Sequence, residues 1–205
     1  MDAETTPRLT LTVMKSGISR FLPLLGQGFT VKRPAGASVE DFLCRSCGIA
    51  QDYLRDRVQT VFLNGKAIDD LAAAVVSDGS TIALSAAMPG LAGAVLRKGG
   101  AYAAMRRQIS HASPSGPRAG GPVSVSIKLF NLVARELGPG FLEQGVLIRG
   151  ADLQDFFQRQ DRGFGKIGRS ADIDGRPVDF ETVPDIIPEN RLILLALRPA
   201  EPHPE

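Results

Sequence analysis

The sequence predicts an α+β fold made of two similar small domains, each with a mixed sheet crossed by one helix. Three observations support this. The order strand, strand, helix, strand, strand over residues 8–86 recurs over residues 123–198 of the 205-residue chain. Both copies carry a tight-turn signature after the helix, and both close on an apolar strand behind an acidic turn. A repeat of this length divides a chain into units, so we predict domains at 1–87 and 123–205 joined by a connector at 88–122.

The opening strand of each copy is identified by alternation with a period of two. In LTLTVMK (9–15) the apolar residues alternate with threonine, and in VSVSIKL (123–129) they alternate with serine and lysine. Such alternation is typical of a strand with one buried face. The second strands are GFTVKRP (28–34) and GVLIRG (145–150). One face of each sheet is therefore expected to be buried.

An amphipathic helix follows each second strand, at 38–47 and at 151–160. Ser38 and Asp152 are the predicted N-caps, because their side-chain oxygens can accept hydrogen bonds from free N–H groups of the first turn. Apolar residues recur at helical spacing in both segments, at Val39, Phe42 and Leu43 in the first and at Leu153, Phe156 and Phe157 in the second. One stripe of each helix is expected to cover a sheet.

Two tight turns follow the short strands VQTVFL and RSADI. Asn64-Gly65 and Asp174-Gly175 supply residues that tolerate a positive φ, which the turns of two-residue hairpins require. A β-hairpin is therefore predicted in each copy.

This order of elements resembles the ubiquitin-like β-grasp superfamily, and within it the sulfur-carrier branch, which includes the molybdopterin-synthase small subunit and the thiamine-biosynthesis sulfur carrier. The resemblance rests on VFLNGKAID (61–69) followed by VSDGSTIALSAAMPG (76–90). The second copy matches more loosely, through IDGRPVD (173–179) and PENRLILLAL (188–197). The resemblance implies two ubiquitin-like β-grasp domains in tandem.

Sulfur carriers act through the carboxylate of a C-terminal Gly-Gly, which is adenylated and converted to a thiocarboxylate. The present chain ends in RPAEPHPE, whereas Gly99-Gly100 stands about where the tail of a carrier would end. The resemblance therefore implies either a relative that lacks this chemistry or a sulfur-carrier precursor that is processed after Gly100.

The connector is the most basic part of the chain, with Arg97, Lys98, Arg106, Arg107 and Arg118 and no acidic residue. Residues 88–110 can form two short basic amphipathic helices hinged at Gly99-Gly100. They can bind an anionic partner, or their apolar residues can dock on a sheet while the charges stay in water. The predicted partner-binding residues are Arg97, Lys98, Gly99, Gly100, Tyr102, Arg106 and Arg107.

Apparent catalytic and metal-binding motifs have simpler interpretations. Cys44 and Cys47 form a C-x-x-C motif near the helix C-terminus, where the dipole disfavours a thiolate, and Cys47 falls on the apolar stripe. A zinc site needs about four ligands, and the only histidines that could join the two thiols, His111 and His203, lie in segments that are expected to be disordered. The glycine-rich RGFGKIGRS precedes a strand and lacks P-loop spacing. Asp174, within the trio Asp172, Asp174 and Asp179, is explained by its turn. We predict no catalytic residue, cofactor or metal.

The composition of the chain also bears on its location and on the kinds of partner that it can bind. No apolar run reaches the ~20 residues of a membrane span, and the start MDAETTPR lacks signal-peptide order, so a cytoplasmic location without membrane contact is expected. Nucleic-acid binding is disfavoured, because the excess basic charge is confined to the connector, where Tyr102 is the only aromatic residue.

We therefore expect a non-enzymatic tandem ubiquitin-like adaptor that binds a protein partner. Homodimer formation through exposed edge strands stays open. Two alternatives remain: the processed sulfur-carrier precursor, and a cofactor-binding or small-ligand-binding accessory protein in which the connector folds into a pocket between the domains.

Overall fold

The structure is a computed structural model that describes residues 6–86, 90, 93, 96–98, 121–161 and 163–200. The chain forms two compact units, of which unit 1 is assembled from two separate segments and unit 2 is one continuous segment that contains the connector. Unit 1 comprises Met1–Phe29 and Gly138–Glu205, and unit 2 comprises Thr30–Leu137. This division differs from the contiguous domains 1–87 and 123–205 that the repeat predicts.

The strands lie where the alternation and the turn chemistry predict them. In chain order they are β1 (Arg8–Val13), β2 (Phe29–Pro34), β3 (Thr60–Leu63), β4 (Lys66–Ile68), β5 (Thr81–Ser85), β6 (Pro122–Phe130), β7 (Val146–Arg149), β8 (Gly168–Ile173), β9 (Arg176–Val178) and β10 (Leu192–Pro199). In β1 and β6 buried and more accessible residues alternate, as predicted. Positive φ angles of 51° at both Asn64 and Asp174 confirm the two turns.

The helical segments are more numerous than the one helix per domain that the sequence predicts. They are α1 (Leu22–Gln27), α2 (Val39–Asp41), α3 (Gln51–Asp56), α4 (Asn131–Gln144), α5 (Gly150–Gln158) and α6 (Val183–Ile186). A π-helical segment at Phe42–Ser46 continues α2, and 3-10 helices lie at Lys15–Phe21 and Gly165–Ile167. The α+β class is confirmed. The expectation of a single helix in each unit is wrong. Helices α1, α3, α4 and α6 lie in segments where the sequence analysis predicts no helix.

Helix capping agrees with the sequence at one site and differs at the other. Ser38 is the N-cap of α2, and its Oγ accepts a hydrogen bond from the backbone N–H of Asp41 at 3.1 Å. The prediction of Asp152 as an N-cap is wrong. Helix α5 begins at Gly150 with Arg149 at the cap position, and Asp152 lies in the first turn, where it pairs with Arg149 at 2.6 Å. The helix starts earlier because the backbone N–H groups of Gly150 and Ala151 donate to carbonyls of Arg191 and Glu189.

In unit 1 the strands follow the order β7-β10-β1-β8-β9. Strand β1 is central, since it runs parallel to β10, with Leu11 opposite Leu197, and antiparallel to β8, with Leu11 opposite Ala171. The first strand of the chain therefore pairs directly with the last one.

In unit 2 the strand order is β4-β3-β5-β6-β2. Here β5 is central: Leu84 lies opposite Leu129 in the parallel strand β6 and opposite Val61 in the antiparallel strand β3. Strand β1 of unit 1 thus occupies the position that β5 holds in unit 2. Strand β10 correspondingly holds the position of β6.

The core of unit 1 is rich in aromatic residues. Phe21, Phe156, Phe157, Phe164 and Phe180 form a connected group with ring centroids 5.3–6.0 Å apart. Tilted and edge-on contacts of this kind add to the stabilisation from burial. The core of unit 2 is mainly aliphatic, and besides the fully buried Phe42 it includes Val39, Leu43, Leu63, Ile82, Leu84, Val125 and Ile127.

Candidate functional site

The predicted partner-binding segment enters the described structure at Arg97 and Lys98. The backbone N–H of Lys98 donates to the carbonyl of Gln59 at 2.7 Å, and its Nζ donates to the carbonyl of Leu54 at 3.1 Å. Arg97 is exposed, and its backbone N–H donates to Gly93 in a helical bond of 3.0 Å. The start of the connector therefore docks on α3 and on the residue before β3. The other predicted residues, Gly99, Gly100, Tyr102, Arg106 and Arg107, lie outside the described residues.

Burial has a direct electrostatic consequence for Lys98. Partial removal from water lowers the pKa of its ammonium, and the nearby carboxylates of Glu40 and Asp56 oppose this shift. Desolvation disfavours the charged form of a lysine, whereas nearby negative charge favours it. The Lys98 amine is consequently half-buried against the carbonyl of Leu54, with the negative charges of Glu40 and Asp56 nearby.

A turn between β4 and β5 forms one wall beside Lys98. The N–H groups of Val39 and Glu40 donate to the carbonyls of Ala74 and Leu71 at 2.8 and 3.1 Å, which satisfies free donors at the start of α2. Asp70 fixes the turn itself, because its Oδ1 accepts from the backbone N–H groups of Ala72 and Ala73. The turn is thus held against α2 by backbone hydrogen bonds.

Helix α3 forms the opposite wall, and an ion-pair network fixes it to α4. The hydroxyl of Tyr53 donates to Oε2 of Glu136 at 2.7 Å, and the guanidinium of Arg57 donates to both oxygens of the same carboxylate. Burial and the bond to Glu136 raise the pKa of Tyr53, while Arg57 and then Tyr53 lower the pKa of Glu136. Charge-assisted bonds of this type orient a helix well.

Between these walls lies an open surface groove, which we call the Lys98 groove. It consists of two adjoining pockets of about 420 and 430 Å³ that share Glu40, Gln51 and Ala72. The first pocket is further lined by Leu54, Arg55, Asp69, Asp70, Leu71 and Lys98, and the second by Ala37, Ser38, Asp41, Cys44 and Arg45. The groove therefore combines apolar side chains with carboxylates from two separate segments, Glu40 and Asp41 in α2 and Asp69 and Asp70 in the turn.

Several charged groups of the groove already have partners within unit 2. Glu40 accepts from the amide of Gln51 at 2.8 Å, and Asp41 pairs with Arg45 at 3.2 Å. Arg55 pairs side-on with Asp56, at 2.7 and 2.9 Å. These contacts set the positions of the charges, and the apolar residues Leu54 and Leu71 line the groove while only 2% and 8% exposed.

Neither thiol of the C-x-x-C motif is activated, since both pKa values are raised. Burial raises the pKa of Cys47 to about 12, and burial followed by the charges of Glu40 and Asp41 raises the pKa of Cys44. Both thiols are free. Because the thiolate is the reactive form, neither cysteine is activated as a nucleophile. The prediction of a packed Cys47 thiol is confirmed by its burial.

The remaining sequence motifs have structural roles. Asp172, Asp174 and Asp179 each accept a backbone hydrogen bond, from Gly175, Arg8 and Glu181 respectively. In the glycine-rich RGFGKIGRS, the segment Gly165–Ile167 forms a 3-10 helix that leads into β8.

Two features are absent from the part of the chain that the structure describes. Within the described ranges no group of three or more His, Cys, Asp and Glu side chains could hold a metal ion. Among the described helices, none combines the length and apolarity needed to cross a membrane.

The sequence indicated Lys98 but missed most of the groove. Glu40, Leu54 and Leu71 lie far apart in the chain, and each belongs to a pattern that local structure already explains, a helix N-terminus, a helix face and a turn. No local signal could have identified them, because the fold alone brings them together.

Comparison with known proteins provides no relative. No family model matches the chain, no curated protein matches it, and no solved structure matches it either. The resemblance to sulfur carriers therefore stays a prediction from the sequence.

Proposed function

We propose that this chain is a non-enzymatic tandem ubiquitin-like adaptor whose unit 2 binds a protein partner in the Lys98 groove. The observation that carries the proposal is the position of Lys98. The sequence predicts that this residue binds a partner, and it lines an open groove together with the buried side chains of Leu54 and Leu71. Apolar surface bordered by polar groups is typical of interaction sites.

The sequence predicts that Lys98 binds an anionic partner, but the carboxylates around it in the groove favour a cationic partner segment. Carboxylates of Glu40, Asp69 and Asp70 line the same pocket as Lys98, and the lysine amine is itself held near negative charge. A peptide that alternates apolar and basic side chains would place the former on Leu54 and Leu71 and the latter near the carboxylates. Complementary charge mainly supplies specificity and a faster association rate.

Titration calorimetry with two synthetic peptides tests this proposal. A peptide of alternating leucine and arginine is expected to bind the full chain, and one of alternating leucine and glutamate is not. Glu40→Gln should weaken binding of the basic peptide about 2- to 5-fold, the value of one exposed charge pair. Glu143→Gln removes the same charge from an exposed position in unit 1 and serves as the control.

Two outcomes would contradict the proposal. The first is equal binding of the acidic and basic peptides. The second is an identical loss of affinity in the Glu40→Gln and Glu143→Gln variants, because a charge that does not line the groove would then matter as much as one that does.

A second candidate function is supported by the size of the groove. Pockets of about 300–1,000 Å³ commonly hold small molecules, and each part of the Lys98 groove falls within that range. An accessory protein that binds a small amine-containing ligand is therefore the alternative. Thermal-shift measurements with a panel of small amines distinguish it, since saturable stabilisation without peptide binding would favour the small ligand.

A further inference from the structure

The two copies of the repeat do not keep their own first strands. Strand β1 precedes unit 2 in the chain but belongs to unit 1, where six of its residues are paired with β10, from Arg8 opposite Leu194 to Val13 opposite Pro199. Strand β6 follows unit 2's helices and hairpin and completes unit 2, with five residue pairs to β5. The connector lies between these two contributions.

The contribution to unit 1 from the N-terminal side of the connector is large. Leu9, Leu11 and Val13 of β1 are at most 1% exposed. The helical segments that follow and the first residue of β2 add further fully buried side chains, namely Phe21, Leu24, Leu25 and Phe29. Phe29 contacts Phe141 with ring centroids 5.1 Å apart, and Phe21 contacts Phe156 at 5.3 Å. Unit 1 would lose its central strand and much of its core without residues 8–29.

Residues on the C-terminal side of the connector make a similar contribution to unit 2. From the C-terminal side of the connector, Val125, Ile127, Leu129 and Val133 are buried in unit 2. Strand β6 is the parallel neighbour of the central strand β5. Glu136, from the same side, holds Tyr53 and Arg57 of α3. Unit 2 would lose a strand and the anchor of α3 without residues 122–137.

We propose that the segments on the two sides of the connector complete each other's units, so that a chain cut within residues 99–120 remains one folded, non-covalent complex. Burial of apolar side chains from both sides, together with paired strands, is the same kind of contact that holds an obligate dimer together. Hydrolysis of the Gly100–Ala101 peptide bond by a protease and water would therefore yield a two-chain complex with a new carboxylate on Gly100. It would not release a separate small carrier.

Controlled cleavage of the full chain tests this inference. A recognition sequence for a specific protease is inserted between Pro114 and Ser115, and the folded protein is cut and measured by size exclusion and native mass spectrometry. We expect one species with the summed mass of both fragments and a cooperative melting transition. Two separate, cooperatively folded fragments would overturn the inference.

Engineered disulfides keep the test decisive if the fragments aggregate. The pairs Thr12→Cys with Arg198→Cys and Ala83→Cys with Lys128→Cys join register partners in parallel strands, whose spacing suits a disulfide. After oxidation and cleavage, each pair is expected to keep the fragments linked on a non-reducing denaturing gel. Phe62→Cys with Ala67→Cys lies within one fragment and is the control. Separation of the fragments in both test variants would overturn the inference.

The two experiments have separate readouts. Peptide binding to the Lys98 groove is measured on the uncut chain, whereas association of the fragments is measured after cleavage, so failure of either one can be told from failure of the other.

Discussion

At the scale of single residues, Gly150 shows how close packing can demand glycine without any unusual backbone angle. A Cβ atom at this position would lie 2.0 Å from the carbonyl oxygen of Pro188 and 3.1 Å from that of Glu189. The backbone N–H of Gly150 also donates to the carbonyl of Arg191. The loop before β10 thus lies directly on the start of α5, and only a residue without a side chain fits between them.

We predict that Gly150→Ala lowers the free energy of unfolding by about 1–3 kcal/mol, the usual cost of overpacking, because backbone atoms must move. Gly140→Ala is the matched control in another helix: nothing lies within 4 Å of its Cβ position. It should be neutral or stabilising by up to about 1 kcal/mol, since alanine loses less entropy than glycine on helix formation. Urea denaturation of both variants measures the difference. Equal destabilisation would contradict the close contact.

At the scale of elements, α4 illustrates tertiary packing overriding local preference. Its sequence NLVARELGPGFLEQ contains Gly138-Pro139-Gly140, which is typical of a turn, yet the helix runs through these residues. Burial of Val133, Phe141 and Leu142 favours the helix. Gly138 additionally allows close approach of Leu22 and Leu25, which lie 2.7 and 2.8 Å from its Cβ position. Propensity is a weak guide where burial is this extensive.

The two predicted helix caps give a second test at this scale. Ser38→Ala should lower the free energy of unfolding by about 1 kcal/mol, because it removes the acceptor for the N–H of Asp41. Asp152→Ala should cost clearly less, since Asp152 caps no N–H and only pairs with the exposed Arg149. Ser38→Thr is expected to retain most of the stability. Thermal and urea unfolding of the three variants provide the measurement, and a larger loss in Asp152→Ala would refute the observed start of α5.

At the scale of the whole molecule, the decisive feature is which strands share a sheet. Strands β1 and β6 have the same alternating pattern, and both have a parallel neighbour. Yet β1 is the central strand of unit 1, between β10 and β8, whereas β6 lies beside the central strand of unit 2. Two similar sequences therefore take different places in two sheets of similar order.

Paired core truncations test this arrangement in the intact chain. Leu11→Ala and Leu129→Ala each remove a side chain that is at most 1% exposed, and each should cost about 2–5 kcal/mol. Hydrogen exchange followed by peptide mass spectrometry locates the weakened region. Leu11→Ala should reduce amide protection mainly in β8 and β10, and Leu129→Ala mainly in β3 and β5. Loss of protection centred on β5 in Leu11→Ala would show that β1 pairs within its own copy.

The sequence by itself determined the local structure of this protein: the α+β class, the two opening strands, the hairpin turns at Asn64 and Asp174, and the cap at Ser38. Alternation, turn conformation and capping depend on residues near each other in the chain, so they can be recognised there. Only the tertiary structure decided the neighbours of β1 and β6, the persistence of α4, and the meeting of Glu40, Leu71 and Lys98 in one groove. Alternation specifies the buried face of a strand but carries no label for its partner, because the same apolar face can pack in either unit.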